Sequence, residues 1–231
     1  ILKNKNFLFV DGRYSIQAQI ESGNLFKIKK LQEIINCNLF KGLRLGIDPR
    51  IFTSSQIFKF FSKFSNIKLI DENLIDQILS KKSNITKPFY SIEEKISGES
   101  FLSKINRTLK IMRKENSDHL FVSAPENVAW LLNIRGYDNP NSPIPNCRLL
   151  LTKNKKFFLI SEKFKIRRLI KEKKINEDQV IDPKNFESLL IKLKNGRVII
   201  DNKTCSIYFE KILKKNFKIL KKEDPIYLLK S

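Results

Sequence analysis

Three stretches of this chain recur about 150 residues later in the same order, and that recurrence restricts the fold more than any other feature. Lys3–Asp11 (KNKNFLFVD) matches Lys153–Ser161 (KNKKFFLIS). Leu45–Asp48 (LGID) matches Val198–Asp201 (VIID), and Ile67–Ile70 (IKLI) matches Phe217–Leu220 (FKIL). Each is a short apolar run bounded by polar residues, as a buried strand requires, and the first two lead into helical patterns. Strands alternating with helices, plus one hairpin, predict α/β architecture: two related domains with mixed β-sheets flanked by helices. In the second copy two helices and a strand precede Lys153, whereas nothing precedes the first copy. The expectation is a first domain truncated at its N-terminus by about fifty residues, with domains at 1–90 and 91–231.

In the first half, Phe7–Val10 reads as a strand, Asp11 as an N-cap with Gly12 relieving backbone strain, and Gly23 as the stop of the helix that follows. Thr53-Ser54-Ser55 caps a helix with Ile57, Phe60, Phe61 and Phe64 at helical spacing, a core face. Ser80–Ile96 loses all periodicity and reads as an inter-domain linker. In the second half, a helix over 100–115 points Leu102, Ile105, Leu109 and Met112 inward. His119–Val122 is a strand, and Pro125 suits the first turn of a helix containing Trp130, a core residue, with Gly136 ending it. Lys153-Asn-Lys155 turns a hairpin, and a basic helix from Ser161 buries Phe164, Leu169 and Ile170. Asp201–Thr204 cap the helix ending near Lys214.

The chemistry-bearing residues are sparse. Cys37, Cys147 and Cys205 lie far apart with no CxxC pair, which predicts buried free thiols and a reducing, cytoplasmic setting. No apolar run approaches the ~20 residues of a membrane span, and no leader sequence is evident at the start. The formal charge of +21 invites a nucleic-acid reading, but the lysines are spread through every segment and far outnumber arginines. A solvated basic surface is the favoured reading, with no specific nucleic acid. His119, the one histidine, follows Asp118 at a surface turn and has no metal-ligand partners in sequence. Glu93-Glu94 and Glu223-Asp224 read as solvated charges. No HExxH, G-x-S-x-G, P-loop or GxGxxG motif is present.

Several segments do carry a family likeness. Phe9–Ala18 (FVDGRYSIQA), Gly46–Pro49 (GIDP) and Asp71–Asp76 (DENLID) resemble the first N-terminal domain of the Xaa-Pro aminopeptidases, the aminopeptidase P family. Ser97–Ser100 (SGES) and Val128–Gly136 (VAWLLNIRG), running on to Asp138 and Pro143, resemble the second. Asp224-Pro225-Ile226 and Lys230-Ser231 are similar to the run just before that family's catalytic domain. The likeness is collinear and spans nearly the whole chain. One departure is Ala124, where many relatives have Asp, which weakens the following helix cap by ~1 kcal/mol.

The resemblance implies two creatinase N-terminal-type domains ahead of a C-terminal pita-bread domain holding a dinuclear metal centre, usually manganese. The metals activate a water that attacks the bond before proline. None of those ligands lies in this sequence, so the implied chain is a non-catalytic part with no metal of its own. The implied partners are peptides with proline second, handled by the intact enzyme, and a homodimer formed through the catalytic domain. Arg135, Tyr137, Asp138 and Pro143 are the candidate site residues. They either shape the far wall of the peptide cleft or, for Arg135 and Asp138, fasten the two domains together. A stand-alone creatinase-like binding module and a basic nucleic-acid-binding protein are the alternatives.

Overall fold

The structure, a computed structural model, describes residues 6–36, 42–62, 66–78, 87–193 and 195–230. Cys37, Phe64 and the start of the expected linker lie outside them. The chain divides into two units, one of residues 1–48 and 55–71, the other of residues 49–54 and 72–231.

The first unit holds strands β1 (Phe7–Val10), β2 (Lys27–Lys30), β3 (Arg44–Ile47) and β4 (Asn66–Leu69), with helices α1 (Ser15–Ser22) and α2 (Ser54–Phe61). β1 pairs parallel with β2 and β3 parallel with β4, as two separate two-stranded sheets. The Asp11 carboxylate accepts from Arg13 N at 3.1 Å and caps the turn before α1. Gly12 does not relieve strain, since its φ is not positive; Gly23, at φ +51°, does end α1. Ile57, Phe60 and Phe61 are only half-buried.

The second unit follows with α3 (Leu74–Ile78), β5 (Tyr90–Ser91), α4 (Glu94–Ser97), α5 (Phe101–Lys114), β6 (His119–Val122), α6 (Pro125–Leu132), β7 (Ile134–Arg135), β8 (Arg148–Thr152), β9 (Phe157–Ile160) and α7 (Lys163–Lys171). β10 (Val180–Ile181), α8 (Phe186–Leu193), β11 (Arg197–Ile200), α9 (Ile207–Asn216), β12 (Lys218–Lys221) and α10 (Pro225–Lys230) complete it. Six strands form one mixed sheet in the order β10-β9-β8-β6-β11-β12, with β8 alone antiparallel to its neighbours. Alternating residues divide between two cores, as the period-two pleat dictates. Leu120, Val122, Leu149, Leu151, Leu159 and Ile199 face one core with α5, α6, α7 and α10. Phe121, Leu150, Ile160, Val198 and Ile200 face the other with α8 and α9. Strands covered on both faces read as continuous apolar runs, which is why β6, β8 and β11 lack alternation.

Several sequence expectations change here. The linker is shorter than 80–96: Phe89 is fully buried, and 90–97 supplies β5 and α4. In α5 the buried stripe is Lys104, Ile105, Thr108, Leu109 and Met112, while Leu102 is 60% exposed. Ile105, Leu109 and Met112 face inward as expected, and the stripe widens to Lys104 and Thr108 on the side away from Leu102. In α7 Leu169 is buried and Ile170 packs against the core as expected, whereas Phe164 is left on the rim and Lys165 and Ile166 are buried. His119 is buried against Phe217, ring centroids 4.7 Å apart, and is no surface turn. Asp201–Thr204 do not cap α9. The first amides of α9 are satisfied by carbonyls of the 49–54 segment, Ile207 N to Phe52 O and Tyr208 N to Pro49 O, both 2.9 Å.

Leu109 and Leu102 lie on one helix in opposite environments and so test this assignment. Leu109→Ala should cost ~2–5 kcal/mol in urea unfolding, and Leu102→Ala under ~0.5 kcal/mol.

Candidate functional site

The segment that delivers the candidate residues begins with α6. Pro125 opens the helix at a position that needs no N–H, and Ala124 offers no side-chain cap. The helix does not run to Gly136. It stops at Asn133, whose φ of +53° and ψ of 43° place it in the left-handed region that Asn tolerates better than most residues. Asn133 N donates to the carbonyls of Ala129 and Trp130.

Two cations complete this terminus, where the helix dipole and unpaired carbonyls favour positive charge. Lys104 Nζ reaches Trp130 O at 3.0 Å and Asn133 Oδ1 at 2.6 Å, and lies 4.4 Å from the Trp130 ring centroid. Trp130 is half-buried, packed against the core with this cation over its ring. Burial pulls the Lys104 pKa below its ordinary value, with the nearby Glu99 charge opposing. Arg135 Nη1 donates to Ile134 O at 2.9 Å and Ala129 O at 3.4 Å. Asn133 Nδ2 also donates to Glu99 O at 2.8 Å, which ties the start of α5 to the end of α6.

Past Asn133 the chain forms β7, paired antiparallel with β5 so that Arg135 faces Tyr90. Gly136 then passes so close to the proline loop that a Cβ would lie 2.7 Å from Pro145 Cα, and its N–H donates to Pro143 O at 2.9 Å. Only glycine fits that approach. Asp138 closes the loop: Oδ2 accepts from Asn146 N at 2.6 Å and Oδ1 pairs with Lys165 Nζ at 2.7 Å. Both side chains of that pair are about nine-tenths buried. Between these anchors, Tyr137 is 51% exposed, its ring 5.1 Å from Tyr90 and 5.4 Å from Lys87 Nζ.

The four candidates therefore sit in one loop, but in different states. Arg135 Nη1 and both Asp138 carboxylate oxygens find partners inside the second unit. Pro143 is exposed and contributes its carbonyl. Tyr137 is half-exposed. Sequence reading missed Lys104, Asn133 and Lys165; the two lysines are buried by partners on other elements, which no local pattern signals.

A second buried polar cluster lies at α10. Asp224 is 2% exposed, contrary to its reading as a solvated charge. It accepts from Asn127 Nδ2 at 2.7 Å and Ile226 N at 3.0 Å, and its own N–H donates to Asp201 Oδ2. Lys230 Nζ donates to Asn127 Oδ1, and Tyr227 Oη to Glu126 Oε1 at 2.7 Å. Burial pushes the Asp224 carboxyl up to about 6. Chemistry elsewhere is quiet. Cys147 and Cys205 are free and buried, with Cys205 pushed up to about 12 by burial. Among the described residues no group of three or more His, Cys, Asp or Glu could hold a metal, so a dinuclear centre does not fit them. No described helix is long and apolar enough to cross a membrane.

The raised Asp224 pKa sets a pH dependence. The fold holds this proton more tightly than the unfolded chain, so its stabilisation is full below pH ~4 and lost as pH rises through ~6. His119, whose pKa burial lowers, acts in the opposite sense. The comparison is therefore wild type against Asp224→Asn. Their stability difference in urea should move by ~1 kcal/mol in favour of wild type between pH 7 and pH 5.

Comparison with known proteins gives a consistent outcome. The Creatinase/Prolidase N-terminal domain family matches residues 80–231. Xaa-Pro aminopeptidase 1 of Dictyostelium discoideum is 28% identical over 263 residues, covering 100% of this chain and 40% of its own. The probable Xaa-Pro aminopeptidase P of Laccaria bicolor is 29% identical over 158 residues, 62% of this chain and 25% of its own. The X-prolyl aminopeptidase of Caenorhabditis elegans, described as a cytosolic enzyme with a di-nuclear active site, superposes with a TM-score of 0.78 at 18% identity. That match covers 96% of this chain and 40% of the other, and shows the fold. The chain thus spans two-fifths or less of the length of these relatives.

Proposed function

The chain belongs to the creatinase/prolidase N-terminal domain family, and on that premise we propose that it forms the non-catalytic N-terminal part of a metal-dependent Xaa-Pro aminopeptidase. The whole enzyme removes an N-terminal residue that precedes proline. Its dinuclear metal, manganese in this proposal, belongs to a separate catalytic domain, which also carries the homodimer contact, and the enzyme works in the cytoplasm. The two N-terminal domains divide near residue 90.

The observation that carries the reading is the contrast within one loop. Arg135 and Asp138 are bound to backbone carbonyls and to Lys165, while Tyr137 between them is held by backbone on both sides and left open. An aromatic ring with a phenol on a stiffened loop offers an apolar face and one hydrogen-bonding group at small entropic cost. That suits the far wall of a cleft for a proline-containing peptide. Arg135 and Asp138 position the loop and do not touch the peptide.

The test uses the intact enzyme on a tripeptide with proline second. Tyr137→Ala should lower kcat/KM about tenfold, ~1.4 kcal/mol, while its unfolding free energy stays within ~0.5 kcal/mol. Unchanged kcat/KM in a folded variant contradicts the assignment of Tyr137 to the cleft.

A further inference from the structure

One cavity in the second unit shares no residue with the Tyr137 loop. It measures about 550 Å³ and is bounded by the β8–β9 hairpin, the start of β6 and the turn from α8 into β11. That volume falls within the roughly 300–1,000 Å³ of small-ligand sites. Asp118 ties its walls together. Lys153 N donates to Asp118 O at 2.8 Å and Lys153 Nζ to Asp118 Oδ1 at 2.6 Å, which fixes the hairpin. Arg197 N donates to Asp118 Oδ2 and Asp118 N to Arg197 O, both at 2.9 Å, which fixes the turn. Gly196, at φ +130°, lets that turn approach, since a Cβ there would lie 3.0 Å from Asp118 Oδ2. The walls are thus preformed, and both oxygens of the carboxylate that holds them are engaged within the fold.

The lining combines three chemistries. Phe158 and Leu193 are apolar and half-buried. Lys153 and Lys156 are cationic and exposed. Between these lie two buried polar side chains, His119 and Thr152. Thr152 Oγ1 donates to Lys156 O at 3.0 Å and keeps lone pairs to accept with. His119 is 7% exposed, and its buried Nδ1 has no hydrogen-bond partner, which is uncommon for a buried polar atom. Burial lowers the His119 pKa, so the ring is neutral at pH 7 and Nδ1 is either an acceptor or a donor.

A ligand that satisfies all three carries a negative charge, an apolar body and a group able to meet Nδ1. A secondary amide does so in either tautomer, through its N–H or its C=O. A metal cation does not fit, because Asp118 is the one carboxylate among the described lining residues and is already paired with Lys153. Inorganic phosphate matches the lysines but not the apolar lining. We propose that this cavity binds small N-acylated amino acids with an apolar side chain. Lys153 and Lys156 hold the carboxylate, His119 the amide, and Phe158 and Leu193 the side chain.

His119 is the one histidine of the 231-residue chain, so its ring C–H signals in proton NMR report on the cavity directly. Titration with N-acetyl-L-leucine at constant pH should shift those signals to saturation. N-acetyl-L-leucinamide, which lacks the charge, should bind about tenfold more weakly, and inorganic phosphate at the same concentrations should leave the signals in place. Lys156→Gln, a change at an exposed position, should weaken N-acetyl-L-leucine about threefold, with the His119 signals of the free variant unmoved as the check on its fold. Signals that do not respond to N-acetyl-L-leucine overturn the proposal. So do acid and amide that bind alike, phosphate that shifts the signals as strongly, or an affinity unchanged by Lys156→Gln.

Discussion

A helix that ends inside a protein leaves its last carbonyls without partners, and the second unit is arranged around how α6 resolves this. Two cations converge there. Arg135 is supplied by the strand that follows, and Lys104 comes from α5, a different helix. A lysine with 2% exposure is a costly device in a low-dielectric interior, tolerated here because Trp130 O, Asn133 Oδ1 and the Trp130 ring all face the ammonium. With those groups in place Asn133 can hold its left-handed turn. The turn sends the chain into β7, and β7 pairs with β5 and commits Gly136 to its close contact with Pro145. Each later feature of the loop depends on that terminus.

The loop then has two fixed ends and a free middle. Backbone pairing through β7 sets one end, and the Asp138–Lys165 pair sets the other by tying it to α7. Tyr137 inherits its position from both, its ring resting against Tyr90 and near the Lys87 ammonium. This division of labour is what lets the proposed recognition role sit on a segment that is also structural. The residues whose chemistry looks most active are those most thoroughly engaged in holding the backbone.

Much of this was legible in the sequence, for local reasons. Pro125 at the helix start, the β8–β9 hairpin and the strands of the central sheet depend on patterns within a few residues, and they form where expected. The repeat also carried through to the strand pairing, β1 with β2 as β9 with β10 and β3 with β4 as β11 with β12. The register differs, however: Ile200 pairs with Lys221 and not with the Ile219 that the sequence match aligns with Leu69. What the sequence left open depends on tertiary partners. Leu102 and Phe164 look inward on a helical wheel, but Lys104 and Lys165 take the buried positions because carbonyls and a carboxylate from elsewhere meet them there. Asp224 beside Glu223 gives no local sign of burial; its environment is made by α6 and α10. In the candidate loop, membership could be read from the Trp130–Asp138 motif, whereas the different states of Arg135, Tyr137 and Asp138 could not.

The central claim is that Asp138 and Lys165 act as one unit that holds the loop carrying Tyr137. A double-mutant cycle in urea measures it directly, with Asp138→Ala, Lys165→Ala and the double variant. Removing either partner alone leaves the other charge buried, so each single change should be strongly destabilising and the double change much less than their sum. The account predicts a coupling energy above ~1 kcal/mol. Additive single effects, with coupling near zero, would contradict it.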